Sequence, residues 1–221
     1  MKLSRLEPHA PPPERDLRPP EEYQAMQALT KELAFDPATW TADRRARVRQ
    51  LFDGLAPEWH TRDTEERRVP VCDALERGGV PRGGTCLEVG SGIGSYTGDL
   101  LRCFDRVLSV DLSMEMLRLA TERPAAARIT GDASSLPLRD STVDAVVCIN
   151  AYLFPREYAR VLKSPGSVVF VSTIGDQTPI YLPPEDVIGA LEPHLGELEA
   201  ATADAGPGRW TAVVRRSTRQ V

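Results

Sequence analysis

The chain lacks several things that would place it quickly. In 221 residues there is no apolar run near the roughly 18 residues of a membrane span, so no membrane association is expected. The opening MKLSRLEPHAPPPERD has no apolar core and does not read as a secretory signal. Histidine is scarce: His9, His60 and His194 lie far apart. The four cysteines, Cys72, Cys86, Cys103 and Cys148, form no C-x-x-C pair, so no metal is expected. A strong positive charge is also missing. With 27 basic and 32 acidic side chains the formal charge is -5, the wrong sign for a general nucleic-acid binder. A reduced, cytoplasmic protein is the resulting expectation.

What is present divides into three stretches. Residues 1–20 hold six prolines, including Pro11-Pro12-Pro13, and read as a disordered tail. Residues 21–80 read as three helices. The first spans Glu21 to Leu33, on the spacing of Tyr23, Met26, Leu29 and Leu33. The second starts near Thr41 or Asp43 and carries Arg44, Arg45, Arg47 and Arg49, read as a solvated face. The third spans Thr64 to Arg77 and stops at Gly78-Gly79.

From residue 81 to 216 short apolar runs alternate with helical stretches. Strands are expected at 85–89, 106–110, 128–129, 143–149 and 167–172. Runs such as VDAVVCI and SVVFVS are apolar at consecutive positions, which suits a parallel sheet covered by helices on both faces. Two last strands, 195–202 and 209–215, flank Asp204, Gly206, Pro207 and Gly208 and read as an antiparallel edge pair.

The most informative segment is Thr85-Cys-Leu-Glu88-Val-Gly90-Ser91-Gly92-Ile-Gly94-Ser-Tyr96. A buried strand enters a glycine turn that opens a helix, which suits close approach of a ligand to backbone. The spacing departs from G-x-G-x-x-G by one residue and has no P-loop lysine. Glu88, just before the first glycine, is awkward beside a pyrophosphate and suitable beside a cation. Asp111, 21 positions after Gly90, ends the next strand, where an acceptor-only carboxylate matches a ribose diol. Gly131-Asp132-Ala133 places an acid at a third strand tip, suited to an adenine amino group.

Taken in order, Glu88–Gly94, Asp111, Gly131-Asp132-Ala133 and the 143–150 run resemble the class I S-adenosylmethionine-dependent methyltransferases, among them small-molecule enzymes of the ubiquinone-biosynthesis type. The likeness spans about residues 45–216. It implies a Rossmann-like, doubly wound, mostly parallel seven-stranded sheet with a helical lid. It also implies S-adenosyl-L-methionine as cofactor and S-adenosyl-L-homocysteine as product. By the same resemblance Glu88, Gly90, Ser91, Gly92, Gly94, Asp111, Leu112, Asp132, Ala133 and Asn150 hold the cofactor. Phe52-Asp-Gly-Leu-Ala56-Pro-Glu-Trp59 matches the family's FDxxAxxW/Y segment and implies a lid that brings Trp59 over the cofactor.

Methyl transfer from a sulfonium needs alignment and dryness more than a dedicated base. His60 and Tyr152 are the candidate catalytic side chains, and Tyr152, Phe154 and Tyr181 the candidate acceptor pocket. The 174–184 segment is too short for an inserted substrate domain, so a small-molecule acceptor is expected, on a monomer or homodimer. Other classes remain open: a non-catalytic cofactor-binding member, a nucleic-acid methyltransferase and a nicotinamide oxidoreductase. Against the last two stand the absent [DN]-P-P-[YF] and Tyr-x-x-x-Lys motifs.

Overall fold

The structure, a computed structural model, describes residues 2–12, 19–120 and 127–216. After a short strand β1 (Lys2–Arg5) come helices α1 (Gln24–Phe35), α2 (Ala42–Leu55) and α3 (Glu65–Arg77). A 3-10 stretch, Ala56–Arg62, continues α2. Thr41 starts α2 by accepting from the Arg44 N–H, a side-chain cap for an otherwise unpaired donor.

The core then runs β2 (Thr85–Val89), α4 (Thr97–Leu101), β3 (Arg106–Asp111), α5 (Met114–Leu119), β4 (Ala127–Thr130), β5 (Val143–Ile149), α6 (Pro155–Val161) and β6 (Leu162–Ser172). It closes with α7 (Pro184–Leu195), β7 (Leu198–Ala205) and β8 (Gly208–Arg215). The strand order is β1-β7-β8-β6-β5-β2-β3-β4. β8 is antiparallel to both its neighbours, and all other pairs are parallel.

β5 shows why the consecutive apolar runs become strands. Ala145, Val147 and Ile149 pack on the face covered by α3 and α4, while Val146 and Cys148 pack on the opposite face. A strand buried on both sides needs no polar alternation.

Two expectations change. The sheet has eight strands, because residues 2–5 form β1 parallel to β7 instead of belonging to a disordered tail. The prolines begin at Pro8, so they do not prevent KLSR from pairing, and Leu3 packs against the main core. The strap continues to His9, whose carbonyl accepts from Gly206 N–H at 2.9 Å. Residues 1 and 13–18 of the expected tail, and 121–122 of the stretch 113–122 that reads as a helix in the sequence, lie outside the described residues. The antiparallel pair β7–β8 is present, but β1 covers its outer edge.

The chain winds from β2 to β3 and β4 in one direction and from β5 to β6 in the other. The carboxyl ends of β2 and β5 therefore flank the point where the winding reverses, the place in such sheets where ligands settle.

Candidate cofactor and acceptor site

A cavity of about 1030 Å³, counted out to its mouth, opens at that reversal point. Its floor is the glycine turn. Gly90 and Gly92 have φ of 66° and 55°, a left-handed conformation that side chains resist. A Cβ on Gly90 would stand 2.6 Å from that of Ala151, so the turn also needs the bare backbone for packing. Gly94 has φ of 78° and shapes the turn without lining the cavity, a correction to its expected contact.

Glu88 is 1% exposed at the tip of β2. Its Oε2 accepts from Thr97 Oγ1 and Ser109 Oγ, both at 2.7 Å, and ties α4 and β3 to the turn. Burial pushes its carboxyl up to about 7, against the pull of those two hydroxyl groups. Asp111 is positioned more openly. Its Oδ2 accepts from Gly92 N–H at 2.8 Å and its Oδ1 from Ser113 N–H at 2.7 Å. A carboxylate has about four acceptor sites, so acceptor capacity remains, and the residue lines the cavity beside Leu112. Burial raises this carboxyl as well, opposed by the backbone N–H groups of Ser113, Gly92 and Leu112.

Asp132 and Ala133 also line the cavity, but Asp132 is not a free acceptor. Trp40 Nε1 donates to both its oxygens at 3.0 and 3.2 Å, Arg45 Nη1 to Oδ2 at 2.9 Å, and Ser134 N–H to Oδ1 at 2.9 Å. The carboxylate expected to face adenine is thus the point where the N-terminal helices fasten to the sheet. Arg45, read from sequence as part of a solvated face, is one of its partners.

Asn150 lines the cavity with φ of 52°. Its amide donates to Thr173 Oγ1 and accepts from Thr173 N–H, both at 2.9 Å, which joins the tips of β5 and β6.

The FDGLAPEW segment packs against the glycine turn and α5. Ala56 packs with Ile93 of the glycine turn and Met116 of α5, with Phe52 and Trp59 against them. Ser113 Oγ donates to Asp53 at 2.6 Å. Trp59 Nε1 lies 3.4 Å from where Gly92 would carry a Cβ. Tyr152 and Phe154 line the wall, each with ring centroid 5.6 Å from that of Trp40. The Tyr152 hydroxyl donates to Met26 Sδ, and burial pushes its pKa up.

Besides Gly94, two expected side chains are not brought to the cavity. His60 is exposed, with Nδ1 3.1 Å from the Pro57 carbonyl, and is not among the lining side chains. Neighbours in a 3-10 turn point about 120° apart, so Trp59 faces inward and His60 outward. Tyr181 accepts from Arg209 Nη1 at 2.9 Å away from the cavity, and its neighbour Ile180 lines the wall in its place.

Sequence reasoning did not single out Trp40, Arg62 or Arg67, all of which line the cavity. Ser91 Oγ and Arg62 Nη1 are buried there with no hydrogen-bond partner among the described residues. Buried polar atoms are rarely left so, and in a cavity they are met by water or by a ligand atom.

The doubly wound sheet, the glycine turn and the acid at the β3 tip define a class I methyltransferase fold. Comparison with known proteins agrees: residues 87–170 match the family described as methyltransferase domain. Residues 87–170 thus match a methyltransferase domain, the fold around them is that of class I S-adenosylmethionine-dependent methyltransferases, and S-adenosylmethionine is the cofactor the site fits. It is 32% identical to the malonyl-[acyl-carrier protein] O-methyltransferase of Dechloromonas aromatica over 155 residues, 66% of this chain and 57% of that protein. It is 34% identical to the biotin biosynthesis bifunctional protein BioHC of Cellvibrio japonicus over 105 residues, 43% of this chain and 21% of that one. The chain thus spans between about a fifth and three fifths of these relatives' length. Among solved structures, a methyltransferase of Thermotoga maritima has a TM-score of 0.60 at 15% identity, covering 76% of this chain and 99% of that one. One of Aquifex aeolicus has a TM-score of 0.58 at 18% identity, covering 72% and 97%. At those identities the likeness is one of fold. Among the described residues no helix is long and apolar enough to cross a membrane.

Proposed function

We propose that this domain transfers a methyl group from S-adenosylmethionine to a small-molecule acceptor held under the N-terminal cap. The observation that carries this reading is Asp111, whose carboxylate is fixed by Gly92 and Ser113 N–H groups with acceptor capacity left toward the cavity. That arrangement suits a ribose diol set beside a glycine turn. When bound, the cofactor supplies a methyl group open to direct displacement by the acceptor.

The chain's own residues hold and shelter it. Asp111 accepts from the ribose hydroxyls, Ser91 Oγ meets the amino-acid end, and Leu112 and Ala133 flank the adenine. Asp132 acts as the latch for Trp40 and Arg45 in this reading, instead of as the adenine acceptor. Trp59 and Trp40 exclude water, so that alignment does most of the chemical work. The O-methyltransferase activity of the malonyl-[acyl-carrier protein] relatives favours oxygen as the acceptor atom.

Titration calorimetry with S-adenosylhomocysteine and NADH tests the reading. S-adenosylhomocysteine binds and NADH does not. Asp111→Asn, which removes the charge from two hydrogen bonds, weakens binding at least about tenfold. Binding of NADH alone, or an unchanged affinity in a folded Asp111→Asn variant, overturns it.

A further inference from the structure

Arg62 ends the 3-10 stretch of the cap and lines the cavity. Its guanidinium lies over the Trp59 ring, 4.8 Å from the centroid. Nη1 is buried and has no hydrogen-bond partner among the described residues, in contrast to Arg45, Arg68, Arg77 and Arg160, which all reach carboxylates. A guanidinium is always charged, and a buried N–H of such a group left unmade is costly. Its natural complement is an anionic oxygen supplied by a ligand.

Two sources of that oxygen are conceivable, the cofactor's carboxylate and the acceptor's. The edge of Trp59 touches the glycine turn at Gly92, and Arg62 rests on that indole's face. The guanidinium therefore stands one ring removed from the turn, where the unpartnered Ser91 Oγ already offers a polar contact. Beside the polar residues Arg67, Ser95, Tyr96, Asp132 and Asn150, the wall carries a broad apolar and aromatic part formed by Val48, Phe52, Trp40, Tyr152, Phe154 and Ile180.

The titratable groups on the wall narrow the acceptor further. Asp132 is committed to Trp40, Arg45 and Ser134, Tyr152 donates to Met26, Tyr96 is hydrogen-bonded to Thr173 with its pKa raised by burial, Glu88 lies beneath the turn, and His60 points outward. Asp111 is the ribose partner in the reading above. None of these is placed to take a proton from the acceptor. An acceptor that enters already ionised needs no such group, and a carboxylic acid at neutral pH is ionised.

We propose that Arg62 anchors a carboxylate of the methyl acceptor, so that the acceptor is a small acid with an apolar body. This rests on the methyltransferase reading of the same site. The test uses the full chain saturated with S-adenosylhomocysteine. Benzoate, propionate and hexanoate are titrated beside their neutral amides, with tryptophan fluorescence and calorimetry as readouts. At least one acid binds about tenfold or more tighter than its amide, the effect of one charge-assisted hydrogen bond. Arg62→Gln abolishes that preference and keeps S-adenosylhomocysteine affinity within about twofold, while Arg62→Lys retains part of the preference.

Equal binding of every acid and its amide by the unsubstituted chain overturns the proposal, whether or not the variants fold. So does an Arg62→Gln variant that loses S-adenosylhomocysteine but keeps 5′-methylthioadenosine, which lacks the carboxylate. That result assigns Arg62 to the cofactor. Failure of the unsubstituted chain to bind S-adenosylhomocysteine at all sinks the methyltransferase reading instead, and the two failures are distinct.

Discussion

Glu88→Gln separates the structural cost of the buried carboxyl from its use. Glu88 is 1% exposed, and burial pushes its pKa from the ordinary 4.5 up to about 7. The folded state therefore binds this proton more tightly than the unfolded chain does. Folding is favoured by this group below pH 4.5, and the advantage is lost as pH rises through 7. A difference of about 2.5 pKa units corresponds to about 3 kcal/mol in full. Roughly 2–3 kcal/mol of it falls between pH 5 and 8. Glutamine cannot ionise, and its carbonyl can still accept from Thr97 and Ser109. Urea unfolding of both proteins at pH 5 and pH 8 measures the difference directly, since the other titrating groups cancel. The variant gains on the native chain by roughly 2–3 kcal/mol over that range. S-adenosylmethionine narrows the gap, because a nearby cation favours the ionised glutamate. A pH-independent difference, or one that grows in favour of glutamate, refutes the reasoning.

Three further outcomes follow from particular contacts. Arg45→Gln removes a half-exposed ion pair to Asp132, worth at most about 1 kcal/mol to stability, yet it loosens the cap and speeds cofactor dissociation roughly threefold to fivefold in stopped-flow. An unchanged off-rate contradicts the latch. His60→Asn leaves S-adenosylhomocysteine affinity and the pH profile of turnover intact, because its ring is outside the cavity; loss of a pH limb restores it as a base. Removing residues 1–12 strips β1 from β7 and breaks the bond from Arg77 to the Glu7 carbonyl, so the melting temperature falls by several degrees and the bare edge promotes association in light scattering. A truncated chain that matches the full one in stability and in association state removes the strap's role.

The parts legible in the sequence were those whose signal is local. The strand, glycine turn and Asp111 lie within 27 residues, and their spacing specifies both backbone path and chemistry. β5 and β2 match their expected bounds because consecutive apolar residues suit a doubly covered strand. The rest depends on contacts between distant segments. Trp40 and Arg45 meet Asp132 across some 90 residues, and nothing in the α2 sequence distinguishes Arg45 from its exposed neighbours Arg47 and Arg49. The FDGLAPEW likeness located a segment packed on the glycine turn but not the direction of each side chain, which the 3-10 turn decides between Trp59 and His60. Strand β1 is four residues long and exists only because β7 offers it an edge.

A crystal structure of the full chain with S-adenosylhomocysteine tests the central claim most directly. The account predicts both ribose hydroxyls within hydrogen-bond distance of the Asp111 carboxylate, the amino-acid end at Ser91, and the indole of Trp59 covering the ligand. The ligand elsewhere on the molecule, or in this cavity with its ribose away from Asp111, contradicts it.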